Sequence, residues 1–335
     1  PQNTFGGGEC DGIICKLNSN LSSIIWSTFV GGSANEACYS LEITSAGEIL
    51  IAGGTQSADF PYITQSASTP NWQGETDGFI AKLNDANMQL IAGTFCGTSS
   101  YDQVYFLQTD NNNNVFAYGQ TAGDMTMTAG VYGQPNSGQF VRKYNDLLNN
   151  MIWSTTIGTG SGEIDISPTA FLVSECEQIY ISGWGGEVNS NFCSFAPCYA
   201  ESSTTVGLPT TSDAYQTTTD GSDFYLCVLS PDASGLLYGS FLGGAVSREH
   251  VDGGTSRFDK NGSVFQAVCA GCQNNDDFPT TPSAWSATNE STGCNIAVFR
   301  FDLNAIQTEI ALDGPPEVCV NTSLSLQNLT TGATS

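Results

Sequence analysis

Positive charge is scarce in this chain. Its 335 residues include 8 Lys and Arg against 33 Asp and Glu, with a single His, for a formal net charge of −25. Such a surface repels phosphate backbones and anionic lipid, which argues against nucleic-acid and membrane-surface partners. No run of roughly 20 apolar residues is present, so no segment reads as a transmembrane helix. Apolar residues at helical spacing are essentially missing, which turns the reading away from helices. Catalytic signatures are missing too: there is no G-x-S-x-G elbow, no H-E-x-x-H and no phosphate-cradling glycine loop. Gly6-Gly7-Gly8 reads as a flexible loop. A Ser-His-Asp triad would have to be built on His250. A sialidase-like site would need clustered arginines, and Arg142, Arg248, Arg257 and Arg300 are all there are; Arg142 and Arg300 lie inside a repeated strand, as scaffold. There is no initiator Met and no signal or transit peptide, and the repeat described next opens in mid-unit. We therefore expect an internal or processed piece of a longer chain.

Repetition is what the sequence does have. DGIICKLNSNLSSIIWSTFVGG at 11–32 returns as DGFIAKLNDANMQLIAGTFCGT at 77–98 and as DFYLCVLSPDASGLLYGSFLGG at 223–244. A weaker copy, GQFVRKYNDLLNNMIWSTTIGT, starts at Gly138, and a half copy, NIAVFRFD, at Asn295. The periods between these starts are 66, 61, 85 and 72 residues. Each copy supplies two strand-like runs around a polar turn. Two more strands follow, turning at SAGE, DNNNN, ECEQ and DKNG, where Asn, Asp and Gly tolerate positive φ. Gly53, Gly119 and Gly183 stand at one position of the second of these strands, where a Cβ would crowd a neighbouring backbone. A variable loop then carries an anchor: DFPYITQSA, DMTMTAGVY, GLPTTSDAY or DFPTTPSAW.

Four antiparallel strands per period without helices predict an all-β fold, a β-propeller of four-stranded blades. Four full blades follow a half blade, so further blades are expected upstream. The propeller should span 1–312, with repeats at about 11–76, 77–137, 138–222, 223–294 and 295–312. DGPPE at 313–317 reads as a linker. The alternation in 318–335 reads as the start of a small PKD/Ig-like β-sandwich.

The D-G-F-I-A-K-L-N, S-T-F-V-G-G and D-F-P elements resemble the SBBP-type β-propeller repeats of bacterial extracellular proteins. YISGWGGEVNSN at 180–191, SDAYQTTTDGSDFYLCVLS at 212–230 and HVDGGTSRFDKNGSVFQAVCAGC at 250–272 look like large cell-surface proteins of the Bacteroidota. Those proteins carry PKD-like domains after the propeller and end in a type IX secretion sorting domain, often labelled gliding-motility-associated. The resemblance implies export across the outer membrane, contact with the secretion machinery in transit, and surface display.

The expected function is a non-enzymatic extracellular module presenting loops for adhesion or for contact with a protein or glycan. The alternatives are a carbohydrate-active propeller enzyme using a carboxylate pair, and a purely structural spacer or filament subunit. Trp184 and the long loop 185–222 are the best contact surface. Within that loop Phe192, Phe195 and Tyr199 either face a ligand or pack as a satellite core. His250, in EHVDGGTSRFDKNG, is either a polar or metal ligand or a hydrogen-bonded residue locking a blade junction. The turns Asp110–Asn114 and Asp220–Asp223 could hold calcium, but read more simply as Asx turns; no other cofactor is implied.

Twelve cysteines point to an oxidising compartment. Cys269-Ala-Gly-Cys272 is the one C-x-x-C, and no second pair completes a zinc site. Cys294 should bridge to Cys269 or Cys272, and Cys193 to Cys198, while Cys96 reads as a buried thiol.

Overall fold

The structure, a computed structural model, describes residues 2–186, 203–251, 257–303, 310–311 and 327–328. All regular elements among them are β-strands, and every sheet is antiparallel. β1 (Gly12–Leu17) and β2 (Ile24–Val30) form a two-stranded sheet. The first full sheet runs β3 (Glu36–Ile43), β4 (Ile49–Thr55), β5 (Asp77–Leu83) and β6 (Leu90–Cys96). The second runs β7 (Asp102–Thr109), β8 (Val115–Thr121), β9 (Gln139–Tyr144) and β10 (Met151–Ile157). The third runs β11 (Ser167–Val173), β12 (Ile179–Trp184), β13 (Phe224–Leu229) and β14 (Leu236–Leu242). The fourth shows three strands, β15 (Arg257–Phe258), β16 (Ser263–Ala270) and β17 (Asn295–Asp302). Of the fourth strand that the repeat expects after it, only Ile310–Ala311 lie among the described residues. The D-G-F-I-A-K-L segments are thus third strands, and each sequence period joins the outer half of one sheet to the inner half of the next.

The middle strands β4, β5, β8, β9, β12 and β13 read as continuous apolar runs because both their faces are covered, whereas the β1–β2 sheet and β17 each leave one face exposed. Alternate residues of β4 divide between two cores. Leu50 and Ala52 meet Leu107, Val115, Ala117 and Phe140 of the second sheet. Ile49 and Ile51 meet Ile14 and Val30 of the β1–β2 sheet. β8 repeats the division, with Val115 and Ala117 on one side and Phe116 and Tyr118 on the other, the latter against Phe171, Ile179, Ile181 and Tyr225. A fourth core joins Phe224, Leu226 and Val228 to Val264, Val268 and Ala270. Five successive sheets therefore stack face to face over four shared cores.

The repeat's fixed residues have geometric causes. A Cβ on Gly53 would stand 1.8 Å from Ala37 O, one on Gly119 2.0 Å from Gln103 O, and one on Gly183 2.8 Å from Ser167 O. The predicted turns place Gly47, Asn113, Glu177 and Gly262 at positive φ. The anchors dock on outer strands, Thr64 N–H donating to Gly93 O (3.0 Å), Thr128 N–H to Ser154 O (2.8 Å) and Thr211 N–H to Gly239 O (3.0 Å). The lysine of the repeated third strand reaches the following sheet: Lys16 pairs with Asp85, Lys82 with Asp146, and Lys143 with Glu177 (2.6 Å).

Two readings need correction. The turn between third and fourth strands is polar in composition, yet its positive-φ position holds Leu21, Met88, Leu148 and Ala233. Of these, Met88, Leu148 and Ala233 are buried in the cores; burial of the side chain offsets the strain. Gly6-Gly7-Gly8 is no loose loop. A Cβ on any of the three would come within 2.5 Å of the carbonyl oxygens of Gly32, Ser33 or Ala34, so only glycine lets the two backbones run together. Beyond β17, β18 (Ile310–Ala311) pairs with β19 (Gln327–Asn328), so the end of the expected repeat region pairs with the segment beyond the linker.

Candidate functional site

First strands β3, β7, β11 and β15 converge on a cavity of about 750 Å³. Local backbone irregularity shapes it. The register shifts in β3 between Cys38 and Ser40, in β7 between Val104 and Phe106, and in β11 between Pro168 and Ala170. These bulges put one extra residue, Tyr39, Tyr105 or Thr169, at corresponding points of the three strands, and all three line the cavity. Tyr39 and Tyr105 pack with tilted rings, 4.8 Å between centroids and 35° between planes, and the Tyr105 hydroxyl lies 3.1 Å from that of Tyr101. Burial pushes the Tyr101 hydroxyl up to about 12 and raises those of Tyr39 and Tyr105, so all three remain hydrogen-bond donors at neutral pH. Glu42 is the one carboxylate among the described lining residues, and burial raises its pKa above the ordinary value. Arg257 and Phe258 close the side nearest the fourth sheet.

Trp184 lines the same cavity from the end of β12, with most of its surface buried. Its indole packs 5.9 Å from the His250 ring. The His250 backbone exchanges two hydrogen bonds with Cys269 (3.1 and 2.9 Å), and its Nδ1 lies 3.8 Å from Cys272 Sγ. Cys272 bridges to Cys294, so of the two partners the sequence allowed for Cys294, Cys269 remains outside the bridge. His250 Nδ1 and the two sulfurs lie within 4.8 Å of one another, the spacing of a metal site. With the sulfurs joined, however, neither is a thiolate able to ligate. Phe192, Phe195, Tyr199, Cys193 and Cys198 lie outside the described residues.

The Asp110–Asn114 turn closes on itself. Asp110 Oδ1 accepts from Asn112 N and Asn114 N, and Oδ2 from Asn114 Nδ2, with Lys143 Nζ at 3.0 Å. This is an Asx turn with a lysine counter-ion.

Sequence reasoning missed the acids that close each sheet-to-sheet junction. Gly32 N–H donates to Glu36 (2.8 Å), Thr98 N–H to Asp102 (2.6 Å), Thr159 N–H to Asp165 (2.9 Å) and Gly244 N–H to Glu249 (3.4 Å). Asp11, Asp77 and Asp223, which open the third strands, press against the glycine of the same step. A Cβ on Gly31, Gly97 or Gly243 would stand 2.4, 2.5 or 1.8 Å from the Oδ1 of these aspartates. The second and fourth junctions therefore bury two carboxylates together, and the first sets the half-buried Asp11 beside the buried Glu36. Burial, aided by mutual repulsion, pushes Asp77 up to about 7 and Glu249 up to about 8, and raises Glu36. The available signal was an acid four to six residues after each G-G or G-T step, obscured by the alternation of Asp with Glu and by loops of unequal length. No family model matches this sequence, and no curated protein matches it.

Proposed function

We propose that the stacked sheets are blades of a β-propeller that acts as a non-enzymatic, surface-displayed module binding a protein or glycan at its central mouth. The observation that supports this reading is the cavity onto which the first strands of four sheets converge, lined by the Tyr39–Tyr105 ring pair and by Trp184. Tyr39 is 47% exposed there. Aromatic faces beside hydroxyl donors suit the apolar faces and hydroxyls of sugars or an extended peptide. A carboxylate pair for glycoside hydrolysis would place two acids across such a cleft; the described lining offers Glu42 alone. The Cys272–Cys294 bridge favours an extracellular setting. With the resemblance to Bacteroidota surface proteins, it supports export through the type IX route.

The test is a glycan array and a surface-protein pull-down with the wild type and with Tyr39→Ala and Glu42→Gln. The expected result is retention of a ligand by the wild type, weakened roughly tenfold or more by Tyr39→Ala at unchanged melting temperature. Turnover of a glycoside panel that Glu42→Gln abolishes would overturn the binding reading in favour of an enzyme.

A further inference from the structure

The fourth junction, between the third and fourth sheets, gathers three carboxylates around the Gly243-Gly244 step. A Cβ on Gly243 would stand 1.8 Å from Asp223 Oδ1 and 2.9 Å from Glu249 Oε2, and one on Gly244 2.6 Å from Asp277 Oδ1. Asp223 is wholly buried and Glu249 is 1% exposed. Asp223 Oδ2 accepts from Gln216 Nε2 (3.2 Å), but its buried Oδ1 has no hydrogen-bond partner, and neither has the buried Oδ1 of Asp277. Glu249 Oε1 accepts from the Ser247 hydroxyl. Among the described residues no Lys or Arg forms an ion pair with any of the three acids. Asp220 adds a further negative charge felt by both Asp223 and Glu249.

Two buried carboxyl groups sharing one pocket, one with an unsatisfied oxygen, are relieved either by a proton held between them or by a cation. We propose that Asp223 and Glu249 hold a divalent cation, calcium, at this junction, with Asp277 as an anionic wall beside it. All the side-chain donors are oxygens, which selects a hard cation, and calcium tolerates the irregular geometry of a loop crossing better than magnesium. The sequence suggested calcium on the turn 220–223. Of that turn Asp223 alone serves, because Asp220 Oδ1 accepts from Ser222 N (2.9 Å) as an ordinary Asx turn. The ion would tie β13 and β14 to the segment that leads into the short β15.

The test uses the whole chain stripped with chelator and titrated with calcium chloride at pH 7.5, with bound calcium counted by elemental analysis and stability followed by melting. Calcium should raise the wild-type melting temperature, with magnesium far less effective. Asp223→Asn should bind one equivalent fewer while keeping a native near-ultraviolet spectrum, and should melt no lower than the calcium-free wild type. Glu249→Gln should lower affinity roughly tenfold or more, and it decides the matter if Asp223→Asn does not fold. Equal calcium stoichiometry in wild type and Asp223→Asn would overturn the proposal. So would a wild type that ignores calcium but gains stability at pH 5.5, since the carboxyl groups would then share a proton instead.

Discussion

The second and third junctions have the same plan and differ by one carboxylate. At the second, Asp77 and Asp102 are both wholly buried, and the Oδ1 of each lacks a hydrogen-bond partner. At the third, Gly138 stands where the other full copies have Asp, and Asp165 works alone, taking Thr159 N–H on Oδ2 (2.9 Å) and the Thr159 hydroxyl on Oδ1 (2.8 Å). The reason lies in the loop. It runs two residues longer at the third junction, and a Cβ on Gly138 would meet Glu163 O and Ile164 Cα at 2.4 Å. The difference separates two roles that are superimposed elsewhere: the acid after the glycine step caps the crossing loop, and the strand-opening aspartate adds charge without capping it.

The largest expected effect is at the third junction. Asp165→Ala should cost about 3 kcal/mol, because it leaves a buried N–H and a hydroxyl without their charged acceptor. Chemical denaturation measures this, and a loss under about 1 kcal/mol would mean that the cap is dispensable. Next is the pH response of the second junction. Burial raises Asp77 to about 7 and Asp102 to about 6 in the folded protein, against 3.8 for an ordinary aspartate. The folded state thus holds protons that the unfolded chain has released. Their stabilising contribution is complete below about pH 4 and is lost as the pH rises through about 6 to 7. Asp77→Asn should flatten that decline and raise the melting temperature at pH 8; a variant that melts lower there would show that the charge is needed. The smallest effect is at the first junction, where Glu36 also accepts the Thr55 hydroxyl (2.6 Å). Glu36→Gln keeps one of its two acceptor contacts and should cost about 1 kcal/mol, which a melting curve resolves.

The fold was legible where one residue type answers one local need. Gly53, Gly119 and Gly183 announced a close backbone, and SAGE and DNNNN announced positive φ, because those constraints act within a strand or a turn. The strand runs were legible because both faces are buried and β composition persists through them. What the sequence hid depends on contacts between repeats. Leu148 at positive φ looks misplaced until the core it enters is known. Tyr39 and Tyr105 become equivalent only through bulges, which shift register without leaving a compositional mark. The junction acids belong to different strands of successive sheets, so Asp223 and Glu249 meet although nothing in their spacing pairs them. The Cys272–Cys294 bridge was within reach because adjacent antiparallel strands bring those two loop ends together.

Each of the three four-stranded sheets owns half of two cores, and this governs how such an array can change in length. Leu50 and Ala52 face one neighbour and Ile49 and Ile51 the other, so a sheet is an adaptor with two unlike faces. Excising or duplicating one whole period rejoins a face of one kind with a face of the other kind. The whole period is therefore the unit in which such an array can change while the pairing of its interior faces is kept, and the junction that lacks its second carboxylate keeps that pairing with one acid fewer.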